Sequence, residues 1–310
     1  MSRMQGRLSS VDDPGATGLP MAAAPPAGPP RPKGQHRARQ VRNRTGRNSP
    51  APNAVPSSAW KRRRTRDASV TDAIPTGPAI EVRGVSKAYG RSIALNAISL
   101  SVPWGRALTV FGPNGSGKTT LIKVLATLSK PDAGTINIAG LDARRDGSYA
   151  RQLIGVMTHD PLLYDDLTAR ENLRFAARMF GLDDTDGRIE SIADQLDISA
   201  RLDQRVGTLS HGWKKRFSLA RALLHDPPIL LMDEPESGLD EQALAGLGEV
   251  LREESVLRRT VVLTTHNFER GLEFGDEVAI LAKGSLEYHE PVANIRDADS
   301  LRDTYAQYIQ

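Results

Sequence analysis

The residues best suited to chemistry form a glycine-rich loop ahead of a lysine and a threonine. Residues 112–119 read G-P-N-G-S-G-K-T and fit the spacing G-x-x-x-x-G-K-[ST] in full. Glycines let backbone N–H groups approach phosphate closely, the lysine neutralises the β and γ phosphates, and the hydroxyl suits Mg²⁺. The loop therefore predicts a nucleotide phosphate site. Its residues are Gly112, Pro113, Asn114, Gly115, Ser116, Gly117, Lys118 and Thr119.

Two adjacent carboxylates after an apolar run form the second candidate. Residues 229–232 are typical of a buried strand, and Asp233 and Glu234 follow them directly. Because neighbouring residues on an extended strand point to opposite sides, the two acids can do different work. We expect Asp233 to join Thr119 in holding Mg²⁺, and Glu234 to polarise the attacking water.

The hydropathy pattern predicts the elements that must position these groups. From about residue 79 onward, strand patterns alternate with helical ones, which is typical of a parallel α/β core. The predicted strands are 79–85 and 93–102 as an antiparallel pair, then 107–111, 134–138, 153–157, 229–232 and 260–264, with a final hairpin over 277–288. The predicted helices cover 117–128, most of 167–202, and 241–253.

Composition excludes several function classes. The 310 residues include no cysteine, which excludes a disulfide scaffold, a thiolate zinc site, an iron–sulfur cluster and a cysteine nucleophile. No run approaches the roughly 18 to 20 apolar residues that cross a bilayer. The sequence thus predicts that any membrane role is peripheral.

Charge and proline separate the first 78 residues from the rest. They hold 14 Lys or Arg against 4 Asp or Glu, a net charge of +10, and 12 of the 20 prolines. The other 232 residues hold 27 basic and 33 acidic groups, a net charge of −6. We predict that residues 1–78 form a disordered tail. Its cluster at 61–66 (KRRRTR) is interpreted either as a solvated appendage or as a contact for anionic lipid or nucleic acid.

With these features in this order, residues 79–290 resemble the ATP-binding cassette (ABC) ATPases. The further residues that carry the resemblance are Tyr89, about two dozen residues before the loop, L-S-H-G-W at 209–213, S-G-L-D at 237–240, and His266. The resemblance implies a P-loop NTPase fold of the ABC type. Such a fold has a parallel-sheet core, an antiparallel β-subdomain and a helical subdomain at about 160–225, here followed by a short extension over 291–310.

The resemblance also implies roles for individual residues. ATP and Mg²⁺ would be the cofactors, with Tyr89 stacking on adenine and nucleotide contacts continuing to Thr120. His266 would contact the γ-phosphate. Ser210 and Gly212 would face the γ-phosphate bound by a second copy, with Asp240 at the dimer contact, so that two chains enclose two ATP molecules head to tail.

Two departures from the family pattern stand out. The signature reads L-S-H-G-W where L-S-G-G-Q is usual, so His211 and Trp213 take the third and fifth places. After the strand predicted at 153–157, Asp160 stands where the family has a glutamine that contacts Mg²⁺, with His159 as the alternative assignment. A carboxylate can still coordinate Mg²⁺. We therefore expect nucleotide binding to survive while its linkage to the membrane subunit changes.

L-L-Y-D-D at 162–166 and the S-H-G variant are similar to the haem-exporter ATPase of cytochrome c biogenesis, CcmA. The alternative is the ATPase of a type-2 drug, polysaccharide or other exporter. Either implies a peripheral ATPase on the cytoplasmic face of the membrane, bound to integral permease subunits (CcmB-like for haem export). Residues 160–205 would dock there, with Leu163 and Tyr164 either near the permease or in the core.

Two further classes are less favoured by the sequence. ABC ATPases that act on DNA or ribosomes usually carry two cassettes or a long coiled coil, whereas this chain has a single phosphate loop. No specific nucleic-acid partner is therefore expected. A catalytically weak regulatory cassette is the other alternative, suggested by Asp160 and Trp213.

Overall fold

The computed structural model describes residues 77–252 and 259–309, apart from the side chains of Gln242 and Arg252. Within these ranges the strands form one sheet of six and one sheet of four. The predicted tail over 1–78 lies outside the described residues except for its last two. None of the helices in the described ranges is long and apolar enough to cross a bilayer.

The six-stranded sheet forms the core. Its strand order is β10-β9-β3-β8-β7-β6; the pairs β9–β3, β3–β8, β8–β7 and β7–β6 are parallel, while β10 runs antiparallel to β9. Every residue of β3, β7 and β8 is buried, as expected for strands covered on both faces. The predicted parallel core is confirmed. The strands are β3 (Ala107–Phe111), β6 (Ile154–Met157), β7 (Ile229–Asp233), β8 (Thr260–Thr264), β9 (Glu277–Ala282) and β10 (Ser285–Pro291).

The four-stranded sheet is antiparallel, with the order β2-β1-β4-β5. Its first strand is longer than predicted: it continues past residue 85 to Tyr89, although its register with β2 shifts between Val82 and Val85 and again beyond. This extension sets Tyr89 at the strand end. The strands are β1 (Ile80–Tyr89), β2 (Ser92–Val102), β4 (Ala133–Ile138) and β5 (Leu141–Asp142).

Helices cover the core sheet and form a separate helical region. The helix after the phosphate loop ends at Leu125, three residues before its predicted end, because Thr127 adopts a left-handed φ of 58° that a helix cannot continue through. The predicted helical stretch over 167–202 is two helices; Thr168 and Glu171 form a capping box at the start of the first. The helices are α1 (Lys118–Leu125), α2 (Gly147–Gln152), α3 (Ala169–Met179), α4 (Thr185–Gln195), α5 (His211–Leu223), α6 (Glu241–Arg252), α7 (Phe268–Phe274) and α8 (Ala298–Tyr308).

The sheet topology brings the candidate residues to one edge. The loop 112–119 follows β3, Asp233 ends β7, and His266 lies two residues beyond β8. Because these strands are parallel neighbours, their carboxyl ends meet at the same edge, where open α/β sheets bind ligands. Asp160 follows β6, the strand beside β7. The fold therefore positions groups that lie far apart in sequence.

Candidate nucleotide-binding and hydrolysis site

Lys118 is held inside the glycine-rich loop. Its ammonium donates to the carbonyl oxygens of Gly112 at 2.6 Å and Pro113 at 3.2 Å, and its side chain is 5% exposed. Burial lowers the pKa of Lys118, while the nearby carboxylates of Glu234 and Asp233 oppose that shift. These two carbonyl oxygens thus hold the Lys118 ammonium inside the loop, where it can contact a bound phosphate.

Gly117 shows why the loop needs glycine immediately before the helix. It adopts a φ of +108°, and a Cβ there would lie 2.2 Å from the carbonyl oxygen of Ala94 on β2. A side chain is therefore excluded both by conformation and by contact. The loop is consequently packed against the four-stranded sheet, which orients the first N–H groups of α1 toward the site.

Asp233 offers a buried oxygen that suits a metal ion. Its carboxylate is 2% exposed; Oδ1 accepts a hydrogen bond from the Thr264 hydroxyl at 2.8 Å, and Oδ2 has no hydrogen-bond partner among the described residues. Thr119, the residue after Lys118, is exposed to solvent. Carboxylate and hydroxyl oxygens are the donors that Mg²⁺ prefers, so these residues fit that ion.

Glu234 and His266 meet directly. Glu234 Oε1 lies 2.8 Å from His266 Nε2, and both side chains are partly exposed to solvent. Glu234 has a positive φ of 50°, and its N–H bonds to the Thr264 hydroxyl at 3.0 Å, which anchors the turn that follows β7. The structure thus brings together the acid and the histidine that the sequence nominated separately. The structure also adds Thr264, whose hydroxyl hydrogen-bonds to Asp233 and to the main chain of Glu234. In the sequence, the only signal for Thr264 was its place at the end of a predicted strand.

Lys215 is a buried cation that the sequence did not nominate. It is 1% exposed on α5, and its ammonium lies 3.4 Å from the carbonyl oxygen of Glu234. Burial lowers its pKa, and the carboxylates of Asp233, Glu234 and Glu236 oppose the shift. Glu236 accepts from the Thr265 hydroxyl, and burial raises its pKa. Lys215 therefore balances three acids at the end of β7.

We expect Lys215→Met to lower the free energy of unfolding by about 1–3 kcal/mol, because it removes the cation among these acids while keeping the side-chain volume. Its neighbour Lys214 pairs with Asp165 at the surface, so Lys214→Met is the matched control and should cost about 1 kcal/mol or less. Urea unfolding of the two variants measures the difference. Equal losses would show that Lys215 has no special electrostatic role.

Tyr89 is available for stacking. Its ring is 51% exposed at the end of β1, with the Lys87 ammonium 5.3 Å from the ring centroid. Its hydroxyl lies 3.5 Å from that of Ser129. The backbone of β1 holds one end of the side chain and the contact with Ser129 holds the hydroxyl. The exposed ring therefore offers a flat surface on which an aromatic base can stack.

The signature residues open helix α5. Ser210 is the N-cap, and its exposed hydroxyl makes no capping hydrogen bond. A Cβ on Gly212 would lie 2.8 Å from the carbonyl oxygen of Gly238, so the signature touches the loop that follows Glu234. The free hydroxyl and the first N–H groups of α5 can therefore receive an anion from outside this chain.

Trp213 and Asp240 are both joined to Arg216. The guanidinium carbons of Arg201 and Arg216 lie 4.8 Å and 4.7 Å, respectively, from the centroid of the Trp213 ring. Arg216 Nη2 also donates to both carboxylate oxygens of Asp240, at 2.5 and 2.6 Å. This network fixes the unusual signature tryptophan against its own helix. It also ties Asp240, predicted at a dimer contact, to the signature helix of the same chain.

Asp160 lies on the correct edge but makes no side-chain contact with the acid pair. It is exposed, its main-chain oxygen accepts from the Thr158 hydroxyl at 2.6 Å, and its carboxylate forms no hydrogen bond or ion pair within residues 77–252 and 259–309. The neighbouring His159 ring lies 6.3 Å from the ring of His211 in the signature. The loop after β6 thus runs beside the signature.

Comparison with known proteins decides the family. A family model described as ABC transporter matches residues 95–237. The Nod factor export ATP-binding protein I of Burkholderia orbicola is 38% identical over 207 residues, which cover 66% of this chain and 68% of that protein. This chain belongs to the ABC transporter family. The protein of the same name from Mesorhizobium japonicum is 37% identical to this ABC cassette, covering 70% of this chain and 64% of that one.

Solved structures agree with the fold of the ABC cassette. An ATP-binding subunit of an ABC transporter matches 74% of this chain and 99% of its own, with a TM-score of 0.68 and 28% identity. A bacterial ABC transporter cassette solved as a dimer matches 69% of this chain and 98% of its own, with a TM-score of 0.62 and 27% identity. The chain is therefore an ATP-binding, ATP-hydrolysing cassette with the predicted fold class.

Proposed function

We propose that this ABC cassette is the ATP-hydrolysing subunit of an exporter, working as a head-to-tail pair on membrane permease subunits at the cytoplasmic face. The observation that carries the proposal is the likeness, at 37–38% identity over about two thirds of the chain, to proteins named for Nod factor export. The signature at the start of α5 supports the pairing, because the Ser210 hydroxyl is exposed and makes no capping hydrogen bond, so it can contact a nucleotide held by a second copy.

The site geometry supports a hydrolytic cycle. Lys118 and the loop amides hold the phosphates, Tyr89 stacks on adenine, and Thr119, Asp233 and Asp160 supply oxygens for Mg²⁺. When bound, that ion offsets the negative charge of the phosphate oxygens. Glu234, oriented by His266 at 2.8 Å, accepts a proton from the attacking water. The Ser210 hydroxyl and the Gly212 amide of one copy face the γ-phosphate bound by the other.

A groove on the helical region supports docking of a permease. It encloses about 410 Å³ between the loop after β6 and helix α3. Tyr164, Phe175 and Met179 are exposed along it, whereas Leu163 packs against the helical core. Leu163 also lines the groove, so its side chain belongs both to the helical core and to the proposed docking surface, whereas Tyr164 is exposed. An exposed apolar groove of this kind is typical of a protein interaction site.

Haem export is the narrower form of this proposal, and it stays a prediction. It depends on the motif at 162–166 and on the S-H-G variant, and the relatives reported above are named for a different cargo. The alternative that the sequence allowed, another type-2 exporter, has the stronger support. The permease purified with this chain would distinguish the two: stoichiometric haem in the absorption spectrum of the complex would favour haem export, and its absence would favour another exporter.

We expect Phe175→Asp to abolish stimulation of ATPase activity by the permease, because it places a charge in the apolar groove. A permease that copurifies with this chain would be co-expressed with it and reconstituted in proteoliposomes. Tyr308→Asp, which alters an exposed aromatic on α8, is the matched control and should leave stimulation intact. Loss of stimulation in both variants, or in neither, would contradict the groove as the docking surface.

A further inference from the structure

A basic cavity lies beyond the C-terminal end of α1. It encloses about 550 Å³ between that helix end, β4 and α2. Four of the residues that line it are cations, Lys130, Arg144, Arg145 and Arg151, and none is an aspartate or a glutamate. This concentration of positive charge is notable because the body of the chain is net acidic.

Three of these four cations form no direct ion pair within residues 77–252 and 259–309, the exception being Arg145. Arg144 Nη2 donates to the carbonyl oxygen of Pro131 at 2.9 Å, and Arg151 Nη1 donates to the Thr127 hydroxyl at 3.1 Å. Both guanidinium groups are thus oriented by neutral acceptors. Lys130 forms no ion pair with any residue in the described ranges.

The nearby carboxylates have closer partners of their own, although the pKa of Asp132, lowered first by hydrogen bonds, is lowered further by Arg144. Asp132 pairs with Lys87 at 2.9 Å, and Asp142 accepts from the main-chain amides of Arg144 and Arg145. Among the four cations, Arg145 does pair with an acid, Asp146, at 3.0 Å. Three cations of the cavity therefore remain available to a ligand.

The other lining groups indicate the chemistry of that ligand. Ser129 and Ser148 add hydroxyl donors, while Val124 and Ile136 form an apolar part of the wall. Arginine forks and hydroxyls are suited to phosphate oxygens, and the apolar wall suits a short carbon chain. We propose that this cavity binds a phosphate ester, either free in solution or as the headgroup of an anionic lipid.

The cavity is separate from the phosphate loop. Lys118 begins α1, and the cavity lies past its other end, about 12 Å away for eight residues at 1.5 Å each. The two sites are neighbours through Ser129, whose hydroxyl lies 3.5 Å from that of Tyr89. A phosphate ester in the cavity would therefore lie near the ring that we assign to adenine without using the same cations.

Binding of glycerol 3-phosphate to the full chain, saturated with Mg-ADP so that the phosphate loop is filled, tests the soluble source. Calorimetry should show saturable binding, weakened at least about tenfold by Lys130→Glu or Arg151→Gln, because each removes a charge-assisted contact. Arg151→Lys keeps the charge and should retain most of the affinity. Arg296→Glu, at an exposed arginine outside the cavity, is the control and should leave binding unchanged.

Sedimentation with phosphatidylglycerol vesicles, compared with phosphatidylcholine vesicles, tests the lipid source. The basic tail is present in every variant, so a difference between wild type and Lys130→Glu reports on the cavity. A cavity-dependent signal in the soluble assay alone supports a free ester, and one with vesicles supports a headgroup. No change in either assay would overturn the proposal, as would binding of glycerol 3-phosphate only when Mg-ADP is absent, since that would assign it to the nucleotide site.

Discussion

Glu234→Gln should reduce ATP hydrolysis by at least about 10²-fold while leaving the affinity for Mg-ATP within about threefold of wild type. The amide keeps the size of the side chain and can still reach His266, but it cannot accept a proton from water. Loss of a general base typically costs 10²–10⁴ in rate. Steady-state phosphate release and equilibrium binding of a fluorescent ATP analogue measure the two quantities separately.

Glu236→Gln is the matched control for this experiment. Glu236 lies two residues further on, where its carboxylate accepts from Thr265 and is partly buried. Removing its charge should leave hydrolysis within a few-fold of wild type. Wild-type turnover in Glu234→Gln, or an equal loss in both variants, would remove Glu234 from the role of base.

Lys118→Ala should weaken ATP binding by about 10²-fold or more. Two charge-assisted hydrogen bonds to phosphate are worth about 1.5–3 kcal/mol each, and 1.4 kcal/mol is a factor of ten in affinity. In the absence of nucleotide, the same ammonium holds the phosphate loop by donating to the carbonyl oxygens of Gly112 and Pro113. Its loss therefore also disorders the loop that binds the phosphates. Calorimetric titration with Mg-ATP measures the change directly.

Lys123→Ala on the same helix controls for general effects on α1. Lys123 lies in the last turn, away from the loop, and its removal should leave ATP affinity unchanged. Thermal unfolding of both variants in the absence of nucleotide checks that each is folded. Comparable ATP affinity in Lys118→Ala and wild type would contradict the assignment of the loop.

The chemistry of the site was predictable because its signals are local. The phosphate loop is a contiguous motif, and 229–232 is an apolar run that ends in two acids. Strands buried on both faces read as continuous apolar segments, and β3, β7 and β8 were found where such segments stand. The parallel order of these strands then brings the acids and His266 to one edge.

The residues that support the site from behind were not predictable, because their positions depend on packing between distant segments of the chain. Lys214, Lys215 and Arg216 form a charged run that is typical of a solvated helix face. In the fold, two of the three are buried: Lys215 reaches the acids at the end of β7, and Arg216 reaches Asp240. Only the docking of α5 against the core sheet decides which charges turn inward.

The C-terminal segment shows the same limit. Residues 291–310 were predicted only as a short extension, yet they contain α8, whose Leu301 is buried in a cluster with Phe111 at the end of β3. Phe111 stacks on Phe268, and Phe268 meets Tyr305 edge-on. These aromatic contacts join α7 and α8 to the strand that leads into the phosphate loop. Neither helix has a sequence pattern strong enough to predict that arrangement.

The most direct test of the central claim is the mass of the full-length Glu234→Gln chain in solution with Mg-ATP, measured by light scattering after size exclusion. We expect about twice the chain mass of 33.7 kDa, with one ATP per chain, and a single-chain mass with Mg-ADP. Adding Ser210→Arg should return the ATP sample to the single-chain mass, because the signature then cannot face the partner's γ-phosphate. A single-chain mass with both nucleotides would contradict the proposal that two chains pair head to tail when they bind ATP. A dimer that persists after Ser210→Arg would contradict it as well.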